Sequence, residues 1–228
     1  MLRVDLHTHS IAGGHGTLDR LSDMAAEAAK RGLSLLGISD HGPATPGGAT
    51  LSYFRGLKLL PRSSGALLLR YGAEANIIDE DGHLDLPDDV LGELDYVIAA
   101  IHPGIFRFNR EEEVMRAYLG AMKNPFVTFI AHPDDARFPV HYSLFVQRCL
   151  EYRCVPELNE VSLSPLSYRK GGRKNAVKLL TQCRRQHCPI LLSSDSHGRE
   201  GIGLVPHASA LLAELSFPEE LVLNNRLV

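Results

Sequence analysis

Val4-Asp5-Leu6-His7-Thr8-His9-Ser10 decides the reading: a short extended run stops on two histidines spaced one residue apart. Working outward, the stretch from Leu18 to Arg31 places Leu21, Met24, Ala25 and Ala28 on one helical stripe and stops at Gly32. Residues 33–39 form a second extended run that delivers Asp40 and His41. Strand, helix and strand with a histidine at each strand end is the opening of a parallel α/β fold.

The same alternation continues. Residues 51–60 read as a helix ending before Pro61, and 67–78 as a long strand. The turn Asp79-Glu80-Asp81-Gly82 leads into a hairpin partner at 83–86. Further strands are expected at 96–101, 127–131, 155–159 and 190–193, with helices at 111–122, 143–153, 174–186 and 208–215 between and after them. A short strand at 221–223 closes the list. The number of repeated units favours a barrel over an open sheet. With 228 residues, 44% of them hydrophobic, and no linker or repeat, residues 1–228 are expected to form one domain.

Formal net charge is −3, and no lysine or arginine run exists to track a nucleic-acid backbone or an anionic membrane. No obligatory nucleic acid or membrane partner is therefore expected, and oligomeric state is open. The first residues run straight into strand pattern without a signal-peptide core, and no apolar run reaches the roughly 20 residues of a membrane span. A cytoplasmic protein is the default expectation.

Position is what makes the histidines informative. Of eleven, six (His7, His9, His41, His102, His132 and His197) sit at the carboxyl ends of predicted strands, and His15 lies in the first loop nearby. Glu74 lies in the third strand, and Asp195 precedes His197 by two. In a parallel barrel the strand C-termini share one face, where such folds place their chemistry. A lone histidine is usually a surface or satisfied core residue, but chance would scatter a set over helices and both ends of the fold. Residues i and i+2 of a strand point the same way, so His7 with His9, and Asp195 with His197, can each face one ion. Imidazole with carboxylate suits zinc, manganese or iron, and Glu74 has two oxygens with which to bridge. His83, His141, His187 and His207 read as structural or surface residues.

Four cysteines form two C-x4-C pairs, Cys149 with Cys154 and Cys183 with Cys188. The spacing differs from the two-residue turn of zinc ribbons and straddles helix-to-strand junctions, so reduced buried thiols are expected over a structural zinc.

Together, Val4-Asp5-Leu6-His7-Thr8-His9-Ser10, Ser39-Asp40-His41-Gly42, Gly72-Ala73-Glu74-Ala75-Asn76, Ala100-Ile101-His102, Ile130-Ala131-His132-Pro133 and Ser193-Ser194-Asp195-Ser196-His197 resemble the PHP (polymerase and histidinol phosphatase) family. The motifs stand in family order from residue 4 to residue 197, and Arg169-Lys170-Gly171 with Asn175 is similar to the short stand-alone phosphatases. The resemblance implies a distorted (β/α)7 TIM-like barrel with three divalent ions, zinc first, at the C-terminal ends of the strands. It implies that His7, His9, Glu74 and Asp195 hold one ion, that Glu74, His102 and His132 hold a second, and that His15, His41 and His197 hold a third.

The expected activity is hydrolysis of small phosphate monoesters by water activated on the metals. Asp5 and Asp40 can accept the second N–H of metal-bound imidazoles, although Asp40 reads equally as a turn or capping carboxylate. Arg169 and Lys170, in the loop after the 155–159 strand, can pair with substrate phosphate or simply be solvated. The 43–50 stretch is a mobile rim or an idle loop. The alternatives are an exonuclease-type phosphodiesterase, or a non-catalytic metal-binding domain that meets a partner. An amide hydrolase lacks its bridging lysine at a strand end.

Overall fold

The computed structural model describes residues 2–14 and 16–227. Seven parallel strands follow one another around a nearly closed barrel: β1 (Val4–Asp5), β2 (Leu35–Ile38), β3 (Leu67–Asn76), β4 (Tyr96–Ala100), β5 (Val127–Ile130), β6 (Val155–Asn159) and β7 (Leu191–Ser193). Each pairs in parallel with its sequence neighbour, as in Leu35↔Leu68 and Glu74↔Ile98, which is the distorted (β/α)7 arrangement. Ser63–Ser64 adds a short antiparallel strand at the start of β3.

Alternation along the strands builds two apolar layers. Val4, Leu6, Leu35, Tyr96, Ile98, Ala100, Phe129, Ala131 and Leu191 form one cluster, inside the barrel. Their odd-register neighbours, such as Leu36, Ile38, Val97 and Leu158, pack outward against the helices. Tyr96 is the large filler of the interior. Its hydroxyl donates to the Leu6 carbonyl at 2.7 Å. A Cβ on Gly37 would stand 2.3 Å from that hydroxyl, and one on Gly72 would stand 2.6 Å from the ring, so both positions need glycine to seat it.

The outer helices longer than one turn are α1 (Leu21–Lys30), α2 (Leu51–Gly56), α3 (Glu111–Lys123), α4 (Tyr142–Tyr152), α5 (Gly172–Gln186) and α6 (Pro206–Glu214). In α1, Met24, Ala25 and Ala28 are the buried stripe. Glu111, Glu112 and Glu113 open α3 and Lys123 closes it, a charge order that suits the helix dipole.

The C-x4-C spacing has a structural origin. Both α4 and α5 end in a left-handed residue, Arg153 and His187, and the next amide closes the helix: Cys154 N donates to Cys149 O, and Cys188 N to Cys183 O, each at 2.9 Å. Each pair thus supplies the apolar contact that accompanies this type of helix stop. All four thiols are free and buried, and burial pushes the Cys154 thiol up to about 12.

Two expected strands are reduced to single bridges. Residue 84 meets the sheet only through Ile77↔Leu84, because the Asp85 carboxylate takes the Asn76 N–H at 2.8 Å. Residues 221–223 contribute only Ile190↔Val222, flanked by 3₁₀ turns.

Those turns place Asn224 where the first and last strands face each other. No ladder joins β7 to β1 among the described residues. The Asn224 side chain stands in: its Oδ1 accepts from Leu192 N at 2.9 Å, and its Nδ2 donates to Leu192 O at 2.8 Å and Val4 O at 3.0 Å. Replacing Asn224→Leu strips buried backbone groups of three partners and is expected to cost about 2–4 kcal/mol. Urea unfolding of the two proteins checks this, and an unchanged midpoint would show that the seam holds without the amide.

Candidate metal centre

The strand ends bring the candidate ligands together. Glu74, near the end of β3, is fully buried, and its carboxylate is ringed by imidazoles. Oε1 lies 2.9 Å from His132 Nε2 and 3.2 Å from His102 Nε2; Oε2 lies 2.7 Å from His41 Nδ1, 3.4 Å from His7 Nε2 and 3.6 Å from His9 Nε2. Five histidines from four strand ends therefore share one carboxylate. On the far side, Thr8–His9 pairs in parallel with Ser196–His197, which sets His197 beside His9. Asp195 Oδ1 is 3.2 Å from His9 Nε2 and 3.5 Å from His7 Nε2.

Three groups of ligand atoms each fall within 4.8 Å of one another: His7, His9 and Asp195; His41, Glu74 and His102; and His9, His41 and His197. Only His15 of the expected ligands lies outside the described residues. The donor set fits a dication. His7 Nε2 is buried without a hydrogen-bond partner among the described residues, which is costly unless a cation accepts its lone pair.

Electrostatics point the same way. Burial pushes the Glu74 carboxyl up, but His102, His41 and His7 outweigh it and hold the group well below the usual range. Burial likewise raises Asp195, and His7, Arg169 and His9 reverse the effect. His132 is driven down to about 4 by burial and by Arg169 beside it, which keeps the imidazole neutral. His7 runs opposite: burial lowers it, yet Glu157, Asp195 and Glu74 raise it well above the ordinary value. The carboxylates that attract that proton attract a metal in its place.

His132 and Asp195 both occupy the left-handed backbone region, with φ of 30° and 53°. Such a conformation costs on the order of 1–3 kcal/mol for a residue with a Cβ and persists only where neighbours enforce it. For His132 the enforcing contact is its own N–H, which donates to Glu157 Oε2 at 2.7 Å.

Glu157 is the residue the sequence reading missed. Its Oε1 lies 2.6 Å from His7 Nδ1, and Ser193 Oγ donates to the same oxygen. One buried carboxylate in the middle of β6 thus orients candidate ligands at two different strand ends. Asn76 does the same for His102, whose Nδ1 is 2.7 Å from Asn76 Oδ1. A charged residue between the apolar Pro156 and Leu158 at the centre of a strand was the available signal for Glu157, and the i, i+2 relation to Glu74 was the signal for Asn76.

Asp5 has other partners than the imidazole expected of it, and Asp40 makes contacts of the turn-carboxylate kind. Asp5 alternates with the inward-facing Val4 and Leu6, so its side chain leaves the barrel interior. It accepts from Ser194 Oγ at 2.5 Å, Gly203 N at 2.8 Å and Ser194 N at 3.3 Å, and so braces the seam rather than an imidazole. Asp40 accepts from Ser10 N at 2.6 Å, Ser10 Oγ at 2.7 Å and the Tyr53 hydroxyl, tying the first loop to α2.

Arg169 is buried, and its guanidinium is engaged: Nη2 donates to Asp195 Oδ2 at 2.8 Å and Nη1 to Asn159 Oδ1 at 3.0 Å. Asp195 is thereby split, with one oxygen on Arg169 and the other toward the histidines. Lys170 is exposed and outside the residues that line the central cavity; its backbone meets the 135–136 loop through Ala136 N. The 43–50 loop is pinned rather than idle. Thr45 Oγ1 is 3.1 Å from Asn76 Nδ2, and Ala49 N donates to His41 O at 3.0 Å.

Conservative replacement of the newly found carboxylate, Glu157→Gln, is expected to weaken zinc binding by about 10–100-fold. Competition against a chromophoric chelator measures it, and wild-type affinity would remove Glu157 from the site's support.

Comparison with known proteins agrees with this geometry. The PHP domain family model matches residues 5–155. A Clostridium botulinum protein named as a probable phosphatase is 38% identical over 222 residues, covering 97% of this chain and 90% of that one. One of the same name from Caldicellulosiruptor bescii is 34% identical over 226 residues, covering 99% and 92%. Among solved structures, histidinol phosphate phosphatase from Lactococcus lactis, complexed with zinc, L-histidinol and phosphate, superposes with a TM-score of 0.65 at 19% identity over 94% of each chain. No helix among the described residues is long and apolar enough to cross a membrane. With its strand-end histidines, shared carboxylate and relatives named as probable phosphatases, the chain belongs to the PHP family.

Proposed function

We propose that the chain, residues 1–228 as one PHP domain, hydrolyses small phosphate monoesters in the cytoplasm at a site for three divalent ions, zinc first and manganese or iron as alternatives. The observation that carries this reading is the Glu74 carboxylate, buried and shared among His7, His9, His41, His102 and His132. His7, His9, Glu74 and Asp195 would hold one ion, Glu74, His102 and His132 a second, and His41 and His197 with His15 a third. The close approach of His9, His41 and His197 supports the last set.

Bound divalent ions neutralise phosphate oxygens and lower the pKa of water toward about 7. The protein's own part is preorganisation. Glu157 and Asn76 fix the ring orientation of His7 and His102, and Arg169 fixes one oxygen of Asp195. Arg169 also lines the cavity beside His41, His102 and His197, where its charge favours a phosphate. It is the one lysine or arginine among the described lining residues, which supports a small substrate over an oligonucleotide end.

Chelator-treated protein is expected to lose hydrolysis of p-nitrophenyl phosphate and regain it with zinc or manganese. His102→Ala is expected to lower kcat/KM by about 100-fold or more in metal-replete buffer. Equal rates from His102→Ala and wild type would remove the proposed site from contention.

A further inference from the structure

A cavity of about 430 Å³ opens directly over the candidate ligands, and its walls are chemically one-sided. Pro46, from the loop after β2, Pro103 and Ile105, from the loop after β4, and Val161 and Tyr168, from the region after β6, form the sides. The remaining polar groups there are already engaged. Thr45 bonds Asn76, and Arg169 bonds Asp195 and Asn159. The only carboxylate among the described lining residues is Asp195, which faces the histidines and Arg169. The Tyr168 ring has guanidinium carbons of Arg169 and Arg137 at 5.1 and 5.7 Å from its centre, so cations hold it as a wall of the opening.

A neighbouring groove of about 440 Å³, on the other side of Asp195 and His197, contains Asp19, Glu160 and Glu200. It offers little counter-charge to a ligand. Both Glu160 oxygens bind the start of α6 through His207 and Ala208, Asp19 binds Arg199 N at 2.8 Å, and the Glu200 side chain is 91% exposed.

Resting on the phosphatase reading, we propose that this site selects phosphate monoesters of uncharged, apolar alcohols, aromatic ones above all, and rejects amino-alkyl phosphates. With phosphate over the strand ends beside Arg169, the rest of the ester lies against Pro46, Pro103, Ile105, Val161 and Tyr168. An aromatic group there buries apolar surface and stacks on Tyr168. An ammonium group there is desolvated beside a guanidinium with no free carboxylate to meet it. In the reaction a water oxygen forms the new bond to phosphorus and the bond from phosphorus to the ester oxygen breaks. That oxygen leaves with the electron pair and takes up a proton, while the proton shed by water passes to buffer.

The test compares benzyl phosphate with 2-aminoethyl phosphate on metal-replete protein, because both leave as primary alkoxides and differ chiefly in the group the cavity receives. kcat/KM is expected to favour benzyl phosphate by at least about tenfold, the ratio that one well-filled apolar contact supplies. Binding of benzylphosphonate and 2-aminoethylphosphonate by calorimetry should rank the same way without turnover. In Tyr168→Ala the benzyl preference should shrink in both measurements, and in Val161→Asp it should shrink or reverse. Equal or inverted preference in the wild type, with hydrolysis intact, overturns the inference and leaves the phosphatase reading standing. Hydrolysis of neither ester, nor of p-nitrophenyl phosphate, overturns that reading as well.

Discussion

The structure turns on the burial of Glu74. A carboxylate with no exposure to solvent is tolerable only if hydrogen-bond donors or cations meet its oxygens, and the cost of leaving it unpaired is several kcal/mol or more. The fold meets that demand by pointing imidazoles from several strand ends at one spot. Each imidazole then needs its other nitrogen held, so the demand passes to Glu157 and Asn76, and from Asp195 to Arg169. The left-handed backbone at His132 and Asp195 belongs to the same chain of compensation.

Much of the barrel and the ligand candidates was legible in the sequence because both follow short-range rules. A strand reads with a period of two, so His7 and His9 announce themselves locally, whereas Asp195 lies between strands in a left-handed conformation and falls in a different ligand group from His197. Glu157 did not, since its partner His7 lies 150 residues away and nothing near it in the chain marks the contact. Asp5 misled for the complementary reason. It stands two residues before His7, so period two predicts a shared face, yet the strand is interrupted between Asp5 and Thr8 and the carboxylate bonds Ser194 and Gly203 instead. The cysteine pairs were legible as buried thiols, but their spacing comes from how helices stop, a backbone rule.

Support and chemistry are also divided by depth. Tyr96, seated by Gly37 and Gly72, fills the barrel beneath the site, so the carboxylates rest on a packed floor. The loops above supply only the cavity walls, through Pro46, Ile105 and Tyr168 among others. Variation in those walls can therefore retune what is accepted without disturbing the ligands below.

The seam beside Asn224 adds a mechanical consequence. His7 and His9 belong to one lip of that gap, and Asp195 and His197 to the other. A cation gripped by both lips would act as a clasp where β1 and β7 share no ladder and only Thr8–His9 meets Ser196–His197. It would fasten segments some 186 residues apart in the chain, so that loading the centre and locking the cylinder become one event.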